Sequence, residues 1–105
     1  MSNQSHAHAA LDALGDPTRR QIIEALRAGP VAVGVLADVL PVGRPAVSKH
    51  IKVLEGAGLV VHQSVGTRNL YALAPDGLEV IQTWLVEQWD GVLRAFADHV
   101  ERNQP

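Results

Sequence analysis

The stretch Arg44-Pro45-Ala46-Val47-Ser48-Lys49-His50-Ile51-Lys52-Val53-Leu54 decides the architecture of this chain. Val47, Ile51 and Leu54 recur at i, i+4 and i+7, the spacing of one buried stripe along a helix. Pro45, Ser48, Lys49 and Lys52 fall on the opposite face, which is short-chained and cationic. A helix is expected over about 44–57, stopped by Gly58. Just upstream, Pro41-Val42-Gly43 breaks a short apolar-rich segment over 35–40. Two helices joined by so short a turn make a helix-turn-helix unit.

Downstream, 59–64 and 68–73 read as two strands around Val65-Gly66-Thr67, a β-hairpin with glycine at its tip that occupies about 60–73. Pro75-Asp76-Gly77 reads as a turn, and a long helix follows over about 78–102. Its apolar positions, Leu78, Ile81, Leu85, Trp89, Val92, Phe96 and Val100, are spaced by three or four and form one sustained stripe. Upstream, a short helix is expected over 8–14, ended by Gly15. Asp16-Pro17 then supplies an N-cap and a first-turn proline for a second helix, with Ile22, Ile23 and Leu26 as its apolar face and Gly29-Pro30 as its end. Residues 1–7 are expected to be a flexible N-terminus, and 8–105 a single domain. The fold class is mainly α with a small β-hairpin.

With 105 residues and no cysteine, the chain has no disulfide staple, thiol nucleophile or thiolate metal site. No apolar run reaches membrane-spanning length, and the polar Met1–His8 stretch does not have the basic-then-apolar form of a leader, so a cytoplasmic location is expected. The net charge of −2 gives no support to nucleic-acid binding by itself. Its distribution does. Residues 44–73 carry Arg44, Lys49, Lys52 and Arg68 against Glu55 alone. Residues 74–105 carry Asp76, Glu79, Glu87, Asp90, Asp98 and Glu101 against Arg94 and Arg102. Only the middle of the chain would attract phosphate.

A helix that reads duplex DNA needs one face locked by a core stripe and another free of bulky apolar groups, because that face must enter a major groove about 12 Å wide. The 44–57 segment meets both demands, and its N-terminus offers free N–H groups to phosphate. The same residues are also compatible with an ordinary solvated helix face.

Several motifs in one order give the chain a resemblance to the ArsR-type (ArsR/SmtB) winged helix-turn-helix repressors of bacteria. They are Leu14-Gly15-Asp16-Pro17-Thr18-Arg19-Arg20 with Ile22, Ile23 and Leu26, then Leu36-Ala37, then Arg44 to Leu54. Ala57-Gly58-Leu59-Val60, Gly66-Thr67-Arg68 and Tyr71-Ala72-Leu73 follow. The resemblance covers about residues 10–73. It implies a winged helix-turn-helix whose long C-terminal helix serves dimerisation, and a homodimer reading half-sites of double-stranded DNA about 34 Å apart. The implied DNA contacts are Arg44, Pro45, Ala46, Ser48, Lys49 and Lys52 on the recognition helix, with Thr67 and Arg68 on the wing. The implied dimer interface is Leu11 and Leu14 on the first helix with Leu78, Ile81, Trp84, Leu85, Trp89, Val92 and Phe96 on the last. Repression, including of the protein's own operon, and release by an inducer belong to the same implication; the inducer and operator stay unspecified. One departure lies at Gly43, where the family usually has a serine N-cap; glycine there costs a few tenths of a kcal/mol relative to serine.

The family's metal sites are not matched. Val33-Gly34-Val35-Leu36-Ala37-Asp38 holds no thiol or imidazole, and Asp90-Gly91-Val92 and His99-Val100-Glu101-Arg102 each lack a partner ligand, whereas zinc needs about four. A non-standard site drawing on His6, His8, Asp98 and His99 is the open alternative, as is a winged-helix module that binds protein and not DNA. No nucleophile–base pair and no phosphate-binding glycine loop is present, so neither catalysis nor a cofactor is expected. Arg19 and Arg20 read as forming surface pairs or bracing the fold, His50 as structural, and His62 as a residue that could approach the DNA backbone.

Overall fold

In the computed structural model, which describes residues 3–103, the polypeptide runs through five helices and three short strands. Helix α1 is Asn3–Ala13, α2 is Pro17–Ala25 and continues into a 3₁₀ turn at Leu26–Ala28, β1 is Val31–Ala32 and α3 is Val33–Val39. Then come α4 (Arg44–Gly56), the hairpin strands β2 (Val60–Val65) and β3 (Arg68–Leu73), and α5 (Pro75–Arg102). No helix among the described residues is long and apolar enough to cross a membrane.

Local chemistry explains most boundaries. Asp16 has extended backbone and its carboxylate accepts the N–H of Arg19 at 3.0 Å, while Pro17 supplies the pre-set φ of a first helical turn. The carbonyls left without helical partners at the end of α1 receive two guanidinium groups. Arg19 Nε donates to Ala13 O at 2.5 Å and Arg20 donates to Leu14 O at 2.8 Å. Both arginines therefore brace the α1–α2 corner, placing positive charge at the negative end of a helix dipole. Helix α4 ends in a Schellman arrangement: Leu59 N–H reaches Leu54 O and Gly58 N–H reaches Glu55 O, each at 3.0 Å. Gly58 takes the left-handed backbone (φ +79) that this cap requires, and Leu54 and Leu59 pack together in the core.

Several boundaries differ from the sequence expectation; strand β2 runs to Val65, so the loop expected at Val65-Gly66-Thr67 is Gly66-Thr67 alone, and α3 begins at Val33. Helix α1 begins at Asn3 and not at residue 8, so residues 3–7 of the segment expected to be flexible are helical, whereas Met1 and Ser2 lie outside the described residues. Ala7, Ala10 and Ala13, all buried, form the inner face of this helix, and their small side chains give only a weak amphipathic signal. Helix α5 begins at Pro75, so Pro75-Asp76-Gly77 is not a turn but the first turn of the helix. Proline is favoured at that position, and Asp76 is stabilised by the helix dipole. Strand β1 is also new. Its two residues pair antiparallel with β3, Val31 opposite Tyr71 and Ala32 opposite Leu70, which makes β3 the central strand in the order β1-β3-β2.

The core sits between α2, α3, α4, the root of the hairpin and the start of α5. Ile22, Leu26, Leu36, Val47, Ile51, Leu54, Leu59, Val60 and Ile81 are its buried large side chains. Beyond Trp84 every residue of α5 is exposed. The radius of gyration is 18.3 Å and the longest extent 69 Å, against about 13 Å for the radius of a compact 100-residue domain. The greater part of α5, from Leu85 to Arg102, therefore projects away from the body.

Candidate nucleic-acid interface

Helix α4 is fixed from beneath by Val47, Ile51 and Leu54, each no more than 1% exposed. That leaves Arg44, Pro45, Lys49 and Lys52 exposed, with Ala46 and Ser48 half-buried. Its N-cap is Gly43, which makes no side-chain bond and leaves the first N–H groups of the helix unclaimed by any capping side chain. The hairpin stands beside α4. Its register pairs Val60 with Leu73 at the root and Val65 with Arg68 at the tip, so Gly66 and Thr67 form the two-residue loop.

Between α3, the start of α4 and the hairpin lies an open cleft of about 860 Å³. Gly34, Asp38, Arg44, Ser48, Thr67 and Arg68 are among its walls. Four of the eight residues expected to meet DNA thus converge on one concavity. Pro45 and Lys49 lie outside it on the exposed surface of α4, Lys52 one turn further along, and the half-buried Ala46 is outside it as well. Sequence reasoning missed Gly34, Asp38 and Asn69, which also line the cleft. Gly34 lies beside the Arg44 guanidinium, with space for only a methyl before contact at 3.8 Å. Asn69 is held by Ser64, whose hydroxyl donates to its side-chain oxygen at 2.9 Å. Its position beside Arg68 on a paired strand was the only available signal for it.

Histidines tie these elements to their surroundings. His62 pairs with Glu55 at the end of α4 and packs its ring over Tyr71 at 5.5 Å, so it joins the wing to the recognition helix. His50 sits 4.0 Å from Asp16, linking α4 to the N-cap of α2. The Arg19 N–H on its carboxylate holds Asp16 below the usual carboxylate range; partial burial opposes this and His50 reinforces it. A depressed folded-state pKa stabilises the fold fully above the unfolded value of about 3.9, and that contribution disappears as pH falls through the lower folded value. Asp16→Asn keeps a capping oxygen but no charge. The parent is expected to be more stable than this variant at pH 6, with the difference closing below about pH 4 in urea titrations. A pH-independent difference would show that charge at Asp16 plays no part.

The residues expected at a dimer interface separate into two groups. Ile81 belongs to the protomer's own core, Leu11 and Leu14 are half-buried against it, and Trp84 is half-buried with His8 edge-on to its ring at 5.8 Å. Leu78, Leu85, Trp89, Val92 and Phe96 are exposed, 42–66% each. Among the described residues no three His, Asp or Glu side chains are grouped so as to hold a metal ion. His6 and His8 lie on α1, and Asp98 and His99 near the far end of α5.

Comparisons with known proteins agree with this geometry. A family model described as a helix-turn-helix domain matches residues 14–63, which run from the end of α1 into β2. The HTH-type transcriptional regulator Rv2034 of Mycobacterium tuberculosis is 46% identical over 101 residues, covering 96% of this chain and 94% of that protein. The structure of an ArsR-like transcriptional regulator from Rhodococcus sp. RHA1 superposes with a TM-score of 0.76 at 30% identity, over 90% of this chain and 92% of that one. At the level of fold, the homodimeric winged helix-turn-helix DNA-binding domain of a possible ArsR-family regulator from Mycobacterium bovis gives a TM-score of 0.67 at 24% identity, over 97% of this chain and 88% of that one. A helix-turn-helix held by its core stripe, a three-stranded wing, a long last helix and near full-length similarity to such regulators lead to one assignment: the chain belongs to the ArsR-type (ArsR/SmtB) family of winged helix-turn-helix, DNA-binding transcriptional regulators.

Proposed function

We propose that this protein is a homodimeric repressor that binds a palindromic operator, including one upstream of its own gene. The observation that carries the reading is the cleft in which the recognition helix and the wing present Arg44, Ser48, Thr67 and Arg68 together, beside the exposed Lys49. A phosphate ridge between two grooves fits such a cleft: α4 lies in the major groove on one side and the wing tip reaches across the backbone on the other. Arg44 and Arg68 neutralise phosphate, Lys49 and Lys52 reach the major-groove side, and Pro45 and Ala46 let the helix approach closely. Asp38 in the same cleft repels phosphate and is suited to accept from a cytosine amino group. The exposed apolar stripe on α5 supports the homodimer, and the relatives' roles support regulation rather than catalysis. The absence of a matched family metal site favours a signal other than metal binding.

Fluorescence anisotropy against the DNA upstream of the protein's own gene tests the reading, with a scrambled duplex as control and salt as the variable. Specific binding is expected to weaken steeply with salt. Lys49→Ala and Arg68→Ala are each expected to weaken it at unchanged thermal stability. Equal binding to both duplexes, or unchanged affinity in both variants, would refute the assignment of this face, and a protein that competes for it would favour the protein-binding alternative.

A further inference from the structure

The apolar stripe on α5 does not end where the helix meets the body. It leads into a pocket of about 180 Å³. Leu78 and Ile81 form the α5 wall, Leu14 the end of α1, Ile23 the outer side of α2, and Leu59 and Leu73 the feet of the wing. Every lining residue is apolar. An apolar cavity of about 150 Å³ is large enough for a benzene ring. Leu78, at its mouth, is 57% exposed, so the pocket is open on the same face of α5 that carries Leu85, Trp89, Val92 and Phe96.

At the other end of that face stands Phe96, 66% exposed and eighteen residues from Leu78, about 27 Å along the helix. No part of the described protomer comes near to cover it. The stripe with its flanking Val86 and Leu93 exposes eight large apolar side chains. Together these offer roughly the 800 Å² that each partner in a standard interface gives up. The pocket at one end and the aromatic ring at the other make the face self-complementary under a two-fold axis.

We propose that the pocket is filled by Phe96 from a second copy of this chain, and that its own Phe96 fills the second copy's pocket. The proposal rests on the homodimer reading above and specifies its register. Two antiparallel α5 helices related by a two-fold axis bring residue 96 of one against residue 78 of the other when they cross near residue 87. That crossing places Leu85, Trp89 and Val92 along the shared seam. Phe96 suits the pocket better than its neighbours do. A phenyl ring has no polar atom to leave unsatisfied among carbon walls, whereas the Trp89 indole would bring an N–H. A crossing that used Trp89 would also leave Phe96 beyond the start of the partner's helix. Because Leu59 and Leu73 line the pocket, the ring would rest against the roots of the wing and tie dimer assembly to the DNA-facing element.

The chain has no cysteine, so thiols can be introduced at will. Leu78→Cys and Phe96→Cys are combined in the full-length chain and treated with a short bismaleimide. Within one protomer the two positions lie too far apart to be bridged. In the proposed register each position is equally far from its own copy across the axis, so either single variant gives no product. A covalent dimer that needs both substitutions is expected. Phe96→Ala is expected to raise the dimer dissociation constant at least about 100-fold by sedimentation with unchanged circular dichroism, and Val100→Ala less than about 10-fold. A parent that sediments as a dimer, with no cross-link in the double variant and no weakening by Phe96→Ala, would overturn the proposed register. A parent that is monomeric at micromolar concentration would instead overturn the homodimer reading itself.

Discussion

Gly77→Ala is expected to destabilise the fold by about 3 kcal/mol or more, at or beyond the upper end of ordinary overpacking. A methyl group at this position would stand 2.3 Å from the carbonyl oxygen of Gly58 and 3.1 Å from the Cα of Leu59. These are backbone atoms, held by the Schellman cap of α4 and by the 2.9 Å bond from Ala74 N–H to Leu59 O. Neither side can yield without moving the recognition helix relative to α5. Gly91→Ala is the natural control. Among the described residues nothing outside its own stretch of helix lies within 4 Å of its missing methyl, and removing a glycine from a helix interior gains up to about 1 kcal/mol. Urea midpoints of the two variants should therefore move in opposite directions. A Gly77→Ala protein as stable as the parent would mean that α5 does not cross the end of α4 so closely.

The second large effect separates two adjacent residues of the recognition helix. Ile51 is 1% exposed and packs in the core, so Ile51→Ala is expected to cost about 2–5 kcal/mol, a large part of a stability of about 5–15 kcal/mol. Lys52 is exposed on the facing surface. Lys52→Ala should leave the urea midpoint within about 0.5 kcal/mol of the parent but reduce the salt slope of DNA binding by about one. If Ile51→Ala proved benign, the stripe would not be what holds α4 in place. If Lys52→Ala left the salt slope unchanged, the DNA-facing surface would have to be redrawn toward Arg44 and the wing.

Much of this was decided by local sequence. The period of Val47, Ile51 and Leu54 sets which face of α4 is buried. Asp16-Pro17 sets where α2 starts, Gly58 where α4 stops, and Gly66 where the hairpin turns, although the register, with Val65 paired to Arg68 rather than in the loop, emerges only in the paired strands. The buried face, the two helix ends and the turn depend on interactions within a few residues, and such signals survive in a linear reading. Arg19 and Arg20 are nearly as local, reaching back only six or seven residues to the end of α1.

Tertiary structure decided what depends on residues far apart in the chain. Val31 and Ala32 form a strand only because β3 offers its free edge, and no pattern in two residues could show that. Pro75-Asp76-Gly77 carries the composition of a turn, yet it is the first turn of α5, and its glycine is there because Gly58 and Leu59, far away in the chain, pass so close that a side chain would not fit. Ile81 continues the periodicity of the exposed stripe but turns into the protomer's own core, since the body meets α5 only over its first turns. Asp38 and Asn69 enter the candidate interface for the same reason: a cleft is a property of three elements packed together, and none of its walls is visible from one of them alone. The helix-turn-helix, the wing and the outward face of α4 are legible in the linear chain because helix period and turn chemistry are local; how far α5 is buried, where it starts and which side chains share the cleft depend on contacts between distant segments.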